Sequence, residues 1–247
     1  RPTKPPSEAP ATFTTAASDE VEPDSSSPTV TSLPGGTAVL RWTTNEPTTA
    51  VVQLGESATK LKEQARAIDP IRQHSVVLTG LDPETTYLLK VESADVAGNE
   101  VVSKLITFET PEWGVADQMT ASFKRGIVKG SATIDEADLG SITLAGSRTT
   151  ARKGMFVSGA LDAQAMVNWH EALWHAQVPS GSKLVVSVRT GSTLEPNKTW
   201  SDWSTVASKG QITGSSRYIQ YKLEMTSPVA TAAPILYGIG FSNNGAP

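Results

Sequence analysis

The stretch from His74 to Asn99, HSVVLTGLDPETTYLLKVESADVAGN, decides the fold of the first half of this chain. It contains a strand, a Leu-x-Pro-x-x-x-Tyr corner, a second strand and a Gly-Asn turn in one unbroken order. At such a corner Leu81 covers the core and Pro83 stiffens the turn, while Tyr87 buries its ring and directs its hydroxyl towards nearby backbone. This order predicts an antiparallel β-sandwich.

Alternation of apolar and polar residues extends to both sides of this stretch. It places Ala38, Leu40 and Trp42 on one face of a strand, which makes Trp42 a core residue. Turn signals at residues 34–36 and 82–83 separate about seven short strands. The segment resembles a fibronectin type III domain. That resemblance implies a fold used by spacers, adhesion modules and enzyme accessory domains alike.

The length of 247 residues predicts two domains. Residues 28–111 are expected to form the fibronectin type III-like domain, residues 112–120 a joint, and residues 121–247 a second domain. The preceding residues 1–27 are rich in Pro, Ser and Thr, which is typical of a tail or linker. A second hypothesis is that this tail docks on its own domain or on a neighbouring subunit.

The second domain also alternates with a period of two, which predicts antiparallel β structure. Its last strand is expected to place four large residues on one face, namely Ile235, Tyr237, Ile239 and Phe241. Gly238 and Gly240 lie on the opposite face. Such small residues in a strand predict the close approach of another chain segment.

Four segments of the second domain carry a second resemblance. They are GMFVSGALDAQ (154–164), WHEALWHAQVPSGSKLVVSVRTG (169–191), TWSDW (199–203) and RYIQYKLEM (217–225). In this order they resemble the discoidin-like, galactose-binding-like jelly rolls of large exported bacterial proteins. Relatives of that type include carbohydrate-binding and adhesion modules, and also domains without a known ligand. The fold class expected for the whole chain is therefore all-β, with two consecutive antiparallel β-sandwiches.

The composition argues against several classes of function. The chain has 21 basic and 25 acidic residues, and no basic run that could follow a phosphate backbone, so nucleic acid is not an expected partner. It has no Cys, which excludes disulfides, thiolate metal sites and Cys nucleophiles. No apolar run approaches the roughly 20 residues that span a bilayer. Because no nucleophile elbow or phosphate-binding glycine loop occurs, we predict no catalytic residues and no enzyme activity.

Aromatic residues of the second domain form the predicted ligand-binding surface. Indole and phenol rings can stack on the C–H faces of sugars. The main candidates are Trp200, Trp203 and Tyr218, with Trp169 as a further one. The alternative is that Trp200 or Trp203 closes one end of the sandwich, because Trp is usually well buried.

Two histidines lie in the segment WHEALWH. His170 and His175 are five residues apart, whereas zinc-binding His residues on one helix face are four apart, and on a strand an odd separation sends them to opposite faces. We therefore expect no shared metal. Alternation assigns Ala172 and His170 to the apolar side, and Trp169, Glu171 and His175 to the other side. Glu171 and His175 are then either a polar pair for a ligand or part of a solvated sheet face.

Acidic residues of the second domain are the candidate metal ligands. The resemblance to jelly rolls implies a structural calcium, for which Asp135, Asp138 and Asp162 are the predicted ligands. The alternative is a charged, solvated turn. No other cofactor is expected.

Together these features predict a non-catalytic binding or adhesion module at an extracellular or cell-surface location. Its expected partners are a glycan or other cell-surface polymer, copies of itself, or neighbouring domains of a larger chain. Two alternatives stay open. One is a structural subunit of an extracellular filament, coat or fibre, and the other is an accessory part of a larger secreted hydrolase.

Overall fold

The computed structural model describes residues 19–137 and 139–244. This part of the chain forms 17 strands and one short helix, so the prediction of an all-β fold is confirmed. The first sandwich contains β1 (Thr29–Leu33), β2 (Thr37–Gly55), β3 (Lys62–Thr79), β4 (Thr86–Ala94), β5 (Glu100–Val102) and β6 (Ile106–Glu109).

The second sandwich contains the remaining elements. They are β7 (Gly114–Asp117), α1 (Thr120–Phe123), β8 (Ile127–Gly130), β9 (Ala132–Asp135), β10 (Ser141–Leu144), β11 (Arg152–Val157), β12 (Leu161–Gln177), β13 (Lys183–Gly191), β14 (Ser204–Val206), β15 (Gly210–Gln211), β16 (Ser215–Ser227) and β17 (Ile235–Asn243). Within the described residues, no helix has the length and apolar character that a membrane crossing requires.

In the first sandwich the two long strands β2 and β3 take part in both layers. The first half of β2 pairs with β1 and with the end of β3, and its second half pairs with β4 and with the start of β3. The register of the β2–β3 pair shifts between Thr43 and Thr48, where the strands pass from one layer to the other. Strand β3 begins at Lys62, and its residues Ala65 and Ala67 alternate with exposed neighbours and pack against the core.

The tyrosine corner has the geometry that the sequence predicts. Tyr87 is 7% exposed, and its hydroxyl accepts a hydrogen bond from the backbone N–H of Asp82 at 3.0 Å. Leu81 and Trp42 are buried in the same core, and the Trp42 ring stacks on His74 with centroids 4.6 Å apart. These contacts fix the interior of the first sandwich.

Part of the predicted tail is docked on the first sandwich. The N–H of Ser26 donates to the carbonyl of Thr43 at 2.9 Å, and the N–H of Asn45 donates to the carbonyl of Asp24 at 3.0 Å. Residues 24–26 therefore extend the pairing along β2. Residues 1–18 lie outside the described part of the chain.

The second sandwich has two layers joined through β12. Sheet 1 has the strand order β14-β13-β16-β11-β8, and sheet 2 contains β9, β10, β17 and β12 in that order, with β7 also paired to β17. The first residues of β12 pair with β16, and those from Trp169 onward pair with β17. The core between the layers is built on large buried residues, including Phe123, Phe156, Tyr221 and Phe241.

Two irregularities change the faces predicted from alternation. In β12 the register against β17 shifts between Trp169 and Ala172, so both residues enter the core although they are three apart. We expected Trp169 on the outer face with Glu171, and this prediction is wrong. A bulge adds one residue to a strand and reverses the faces beyond it.

The second irregularity lies in β17, opposite His175 and Ala176. Ile235 and Tyr237 were expected on the core face. Instead Leu236 is fully buried in the core, and Tyr237 is only half-buried, with its ring 5.0 Å from the imidazole of His175. The core-facing alternation resumes with Ile239.

The first sandwich rests on the outer face of sheet 2. A Cβ atom at Gly240 would lie 2.6 Å from Cδ of Pro34, and one at Gly238 would lie 2.9 Å from Cδ1 of Leu33. The predicted close approach of another segment is thus confirmed, and that segment is the β1–β2 turn. Strand β7 falls within residues 112–120 but pairs with β17, so sheet 2 begins inside the predicted joint.

Candidate ligand-binding surface

The outer face of sheet 1 presents the strongest grouping of aromatic and charged side chains. In β16 the core takes Ile219, Tyr221 and Leu223, so alternation sends Gln220 and Lys222 outward. Register pairs Gln220 with Arg189 of β13, which is outward for the same reason. The sheet thus places polar side chains of two neighbouring strands beside one another.

Two tryptophans and two cations form a row on this face, which we call the Trp–Arg ladder. The guanidinium carbon of Arg189 lies 5.4 Å from the ring centroid of Trp200 and 4.6 Å from that of Trp203. The ammonium nitrogen of Lys222 lies 5.4 Å from the Trp203 ring. These separations are typical of cation–π contacts, each of which contributes about 0.5–1 kcal/mol at exposed sites.

Arg189 is held in place by a fixed acceptor. Its Nε and Nη2 donate to Oε1 of Gln220 at 2.8 and 2.6 Å, and Nε2 of Gln220 donates to the carbonyl of Ser158 at 2.6 Å. Desolvation by burial lowers the pKa of Arg189 from its ordinary value. The guanidinium is therefore an oriented group that has already lost part of its hydration.

Trp200 anchors the loop between β13 and β14, which carries both tryptophans of the Trp–Arg ladder. It is 7% exposed and lies flat on Gly191, where an added Cβ atom would be only 2.3 Å from the indole. Its Nε1 donates to the carbonyl of Thr193 at 3.1 Å. Trp200 therefore has the packing role that was the alternative in the sequence analysis. It is not an exposed member of the predicted ligand-binding surface. Trp203 keeps partial exposure.

Two further members of the predicted platform are also buried. Tyr218 is 8% exposed, and the guanidinium carbon of Arg217 lies 5.2 Å from its ring centroid. Trp169 is 2% exposed, and its Nε1 donates to Oγ of Ser216 at 2.8 Å. The expectation that these rings present open faces to a sugar is corrected, since the structure buries both. Of the four predicted rings, only Trp203 remains available.

The face around Trp203 is basic. Register places Lys153 of β11 and Lys183 of β13 on either side of Thr226, on the same outer face as Arg189 and Lys222. We call these four cations the basic face. Glu224 also points outward there, with its carboxylate 3.4 Å from the Lys222 ammonium. Sequence reasoning missed Arg189 and Lys222, although their outward positions follow from the same alternation that identified the strands.

Glu171 and His175 face the first sandwich. His175 Nδ1 lies 3.4 Å from Oγ1 of Thr31, and burial lowers the pKa of the His175 imidazole, with a smaller contribution from the nearby charge of Arg41. Glu171 is half-buried at the edge of a cleft between the sandwiches. His175 thus contacts the first sandwich and Glu171 lines the cleft, so the structure does not bring the two side chains together as the predicted ligand pair.

The other histidine of this segment, His170, contacts Glu112 of the predicted joint. Its Nδ1 lies 2.9 Å from Oε2 of Glu112.

The predicted calcium ligands have other contacts. Both oxygens of Asp162 accept hydrogen bonds from Arg217, at 2.7 and 2.8 Å, and these bonds hold the pKa of Asp162 below its usual value. Asp135 Oδ1 accepts from the N–H of Ala137 at 3.0 Å. Asp138 lies outside the described residues. The donor set expected for calcium is therefore not brought together by Asp135 and Asp162.

A different acidic group occurs in the first sandwich. In the described residues, carboxylate oxygens of Asp19, Glu46 and Asp95 lie within 4.8 Å of one another. Oδ1 of Asp95 accepts hydrogen bonds from the N–H groups of Ala97 and Asn99, at 2.8 and 2.9 Å. Asp95 therefore has a structural role, which is to cap the turn in ADVAGN.

Comparison with known families gives a match for the first sandwich. Residues 23–110 match the family model of the purple acid phosphatase N-terminal domain. This region is less than half of the chain, and the model describes a domain outside the catalytic one. A search of curated proteins gives no match.

Among solved structures, an α-L-rhamnosidase from Dictyoglumus thermophilum is 12% identical, with a TM-score of 0.30 over 93% of this chain and 28% of that one. Chitinase ChiA74 from Bacillus thuringiensis is 13% identical, with a TM-score of 0.28 over 87% of this chain and 28% of that one. An α-L-rhamnosidase from Streptomyces avermitilis, in complex with L-rhamnose, is 15% identical, with a TM-score of 0.28 over 91% of this chain and 24% of that one. The chain thus spans about a quarter of the length of these enzymes.

Proposed function

We propose that this chain is a non-catalytic, extracellular or cell-surface module that binds a polysaccharide with carboxylate or sulfate groups on the basic face of sheet 1. The observation that carries the proposal is Trp203, which stays partly exposed between two cations, with Arg189 at 4.6 Å and Lys222 at 5.4 Å from its ring centroid. In this proposal the first sandwich is a spacer that is fixed to the back of sheet 2.

The chemistry of these side chains matches an acidic sugar. The exposed part of the Trp203 indole can contact the C–H surface of a pyranose ring. A guanidinium can bond a carboxylate or sulfate through two parallel N–H donors, which an ammonium cannot do. Because Gln220 already orients Arg189, less conformational entropy is lost on binding.

The charge of the surroundings favours an acidic ligand over a neutral one. The basic face combines four cations with one acid, Glu224, although the whole chain has a formal net charge of −4. Its attraction for a polyanion is therefore local to this face of sheet 1. Screening by salt weakens contacts between exposed charges, so binding of this kind decreases as ionic strength rises.

Affinity electrophoresis of the full chain through gels that contain polygalacturonate, chondroitin sulfate or dextran tests the proposal. We expect retardation by at least one acidic polymer and none by neutral dextran. Trp203→Ala and Lys222→Gln should each weaken that binding about 5-fold, which corresponds to one contact of about 1 kcal/mol.

Lys104→Gln provides the matched control, because this exposed lysine belongs to the first sandwich and its loss changes the net charge equally. If none of the polymers is bound, or if Lys104→Gln weakens binding as much as Lys222→Gln does, the basic face is not the binding site.

A second candidate function is that of an accessory part of a larger hydrolase. It is favoured by the match of residues 23–110 to a domain named for its place at the N-terminus of an enzyme. The mass of the native product, measured by immunoblotting of the source cells and medium, tests it. An accessory part would be found in a product much larger than 26.1 kDa, whereas a separate module would not.

A further inference from the structure

A second site lies between the two sandwiches, on the opposite layer from the basic face. A cleft of about 350 Å³ opens where the β1–β2 turn and the end of the first sandwich meet β12 and β17. This volume is within the range of small-ligand sites, which often occur at domain interfaces. Both sandwiches and the joint contribute to its walls.

The walls of the cleft are acidic. Glu84 and Glu109 come from the first sandwich, Glu112 from the joint and Glu171 from β12. In residues 19–137 and 139–244, no Lys or Arg forms an ion pair with Glu84, Glu109 or Glu171, and no basic residue lines the cleft. Glu112 has a side-chain partner, since its Oε2 lies 2.9 Å from Nδ1 of His170. The cleft therefore concentrates negative charge that the described protein does not neutralise.

Ser242 gives independent evidence for a polar ligand. The preceding residue of β17, Phe241, is fully buried in the core, so Ser242 points away from the core and lines the cleft. Ser242 is only 4% exposed, and its hydroxyl has no hydrogen-bond partner among the described residues. Because the rest of the residue is buried, the hydroxyl is the part of Ser242 that can be reached from the cleft, where it can donate to or accept from a polar group of a molecule that enters.

The arrangement of the carboxylates favours an extended ligand over a bare metal ion. Across the described residues, no three carboxylates of the cleft bring oxygens within 4.8 Å of one another, so they do not converge on one cation. They can accept hydrogen bonds from donors that are spread over a larger molecule. Leu173, Pro34 and Pro111 add apolar surface to the same cleft, which suits the C–H face of a sugar ring.

We propose that this cleft binds an amino sugar, with the protonated amine at the Glu residues and a hydroxyl of the sugar at Ser242. The ammonium group offsets one of the three carboxylates that have no ion-pair partner, and the hydroxyls of the ring can donate hydrogen bonds to the others. The site is separate from the basic face and does not depend on the function proposed for it.

Titration of the full chain with glucosamine, followed by calorimetry at a pH where the amine is protonated, tests this proposal. Glucose and N-acetylglucosamine are the neutral controls, and 1,4-diaminobutane is a control that has amines but no hydroxyls. We expect glucosamine to bind at least 10-fold more tightly than glucose or N-acetylglucosamine, and more tightly than the diamine. Equal affinity for glucose, or tighter binding of the diamine, would overturn the assignment to an amino sugar.

Variants locate the binding. Glu171→Gln and Ser242→Ala should each weaken glucosamine binding at least 5-fold, whereas Glu224→Gln, which removes an exposed acid from the other layer, should leave it unchanged. Thermal unfolding of each variant verifies that the fold is retained. If glucosamine does not bind to the folded wild-type chain, or if Glu171→Gln and Ser242→Ala bind it as wild type does, the cleft is not the site.

Discussion

Substitution of Gly191 by Ala tests whether the Trp–Arg ladder is a packed unit. The added Cβ would lie 2.3 Å from the ring of Trp200, whereas carbon atoms in contact are normally 3.5–4.0 Å apart. The indole must therefore move by more than 1 Å, at a cost of about 1–3 kcal/mol for overpacking. The movement also strains the hydrogen bond from Trp200 Nε1 to Thr193, which contributes about 0.5–1.5 kcal/mol. We expect Gly191→Ala to lower the free energy of unfolding by about 2–4 kcal/mol.

A double-mutant cycle with Trp200→Ala isolates the cause. In the Trp200→Ala background the added methyl group meets no indole, and Ala is better tolerated than Gly within a strand, by about 0.5–1 kcal/mol. Gly191→Ala should then be neutral or slightly stabilising. The four proteins are compared by urea unfolding, and the coupling energy between the two sites should exceed about 2 kcal/mol.

An equal effect of Gly191→Ala on stability with and without the indole would contradict the packing role of Trp200. Such a result would mean that the cost arises from the backbone of β13 and that Trp200 is free to move. Trp203 and Arg189 would then lack a fixed neighbour, and the proposed binding surface would lose its pre-organisation. The acidic-polymer affinity of Gly191→Ala, measured beside its stability, separates these two consequences.

Three further predictions concern stability. Burial raises the pKa of Asp117, so the contribution of this carboxyl to stability should fall as pH rises from the unfolded-state pKa of about 3.9 towards the raised value; urea unfolding at about pH 4 and about pH 7 should therefore show wild type losing stability relative to Asp117→Asn. A chain without residues 1–27 should be about 1–3 kcal/mol less stable than one without residues 1–18, because the bonds of residues 24–26 to β2 are lost, and an equal denaturation midpoint would contradict this. Arg217→Gln should cost at most about 1 kcal/mol, less in high salt, because Arg217 and Asp162 are 43% and 36% exposed; a larger loss in urea unfolding would contradict a surface ion pair.

Local patterns in the sequence predict the interior of the first sandwich well. Trp42 and Tyr87 are recognised from alternation and from the corner, and both are buried where expected. These features depend on residues close in sequence, so a short window contains the necessary information. The same holds for Gly238 and Gly240, whose lack of side chains indicates a close neighbour without identifying it.

Faces beyond an irregularity are not predictable in this way. Trp169 enters the core because the register against β17 shifts after it, and Tyr237 is displaced from the core by Leu236 for a similar reason. Residues 169–172 contain no Pro or Gly that would mark a bulge in the sequence, whereas Gly238 adjoins the irregularity in β17. A single inserted residue reverses every later face, so one missed bulge was enough to misplace Trp169 as a ligand-binding residue.

The candidate binding surface could be predicted only in part. Trp203 was identified, but its cationic neighbours come from β13 and β16, which are distant in sequence and are aligned only by the register of sheet 1. Alternation gives the outward direction of Arg189 and Lys222. It cannot give the pairing that brings them to one indole.

The two outer faces of the second sandwich show what alternation can nevertheless contribute. On sheet 2 the outward positions of β17 include Gly238, Gly240 and Ser242, and this is the face that the first sandwich covers. On sheet 1 the outward positions of β16 include Lys222 and Glu224, whose long charged side chains would resist close packing of another domain. Small residues therefore mark the covered face and charged ones the open face. Because the covered face is not covered completely, its edge is where a cleft with an unpartnered hydroxyl can form, and the open face is where a polymer has room to bind.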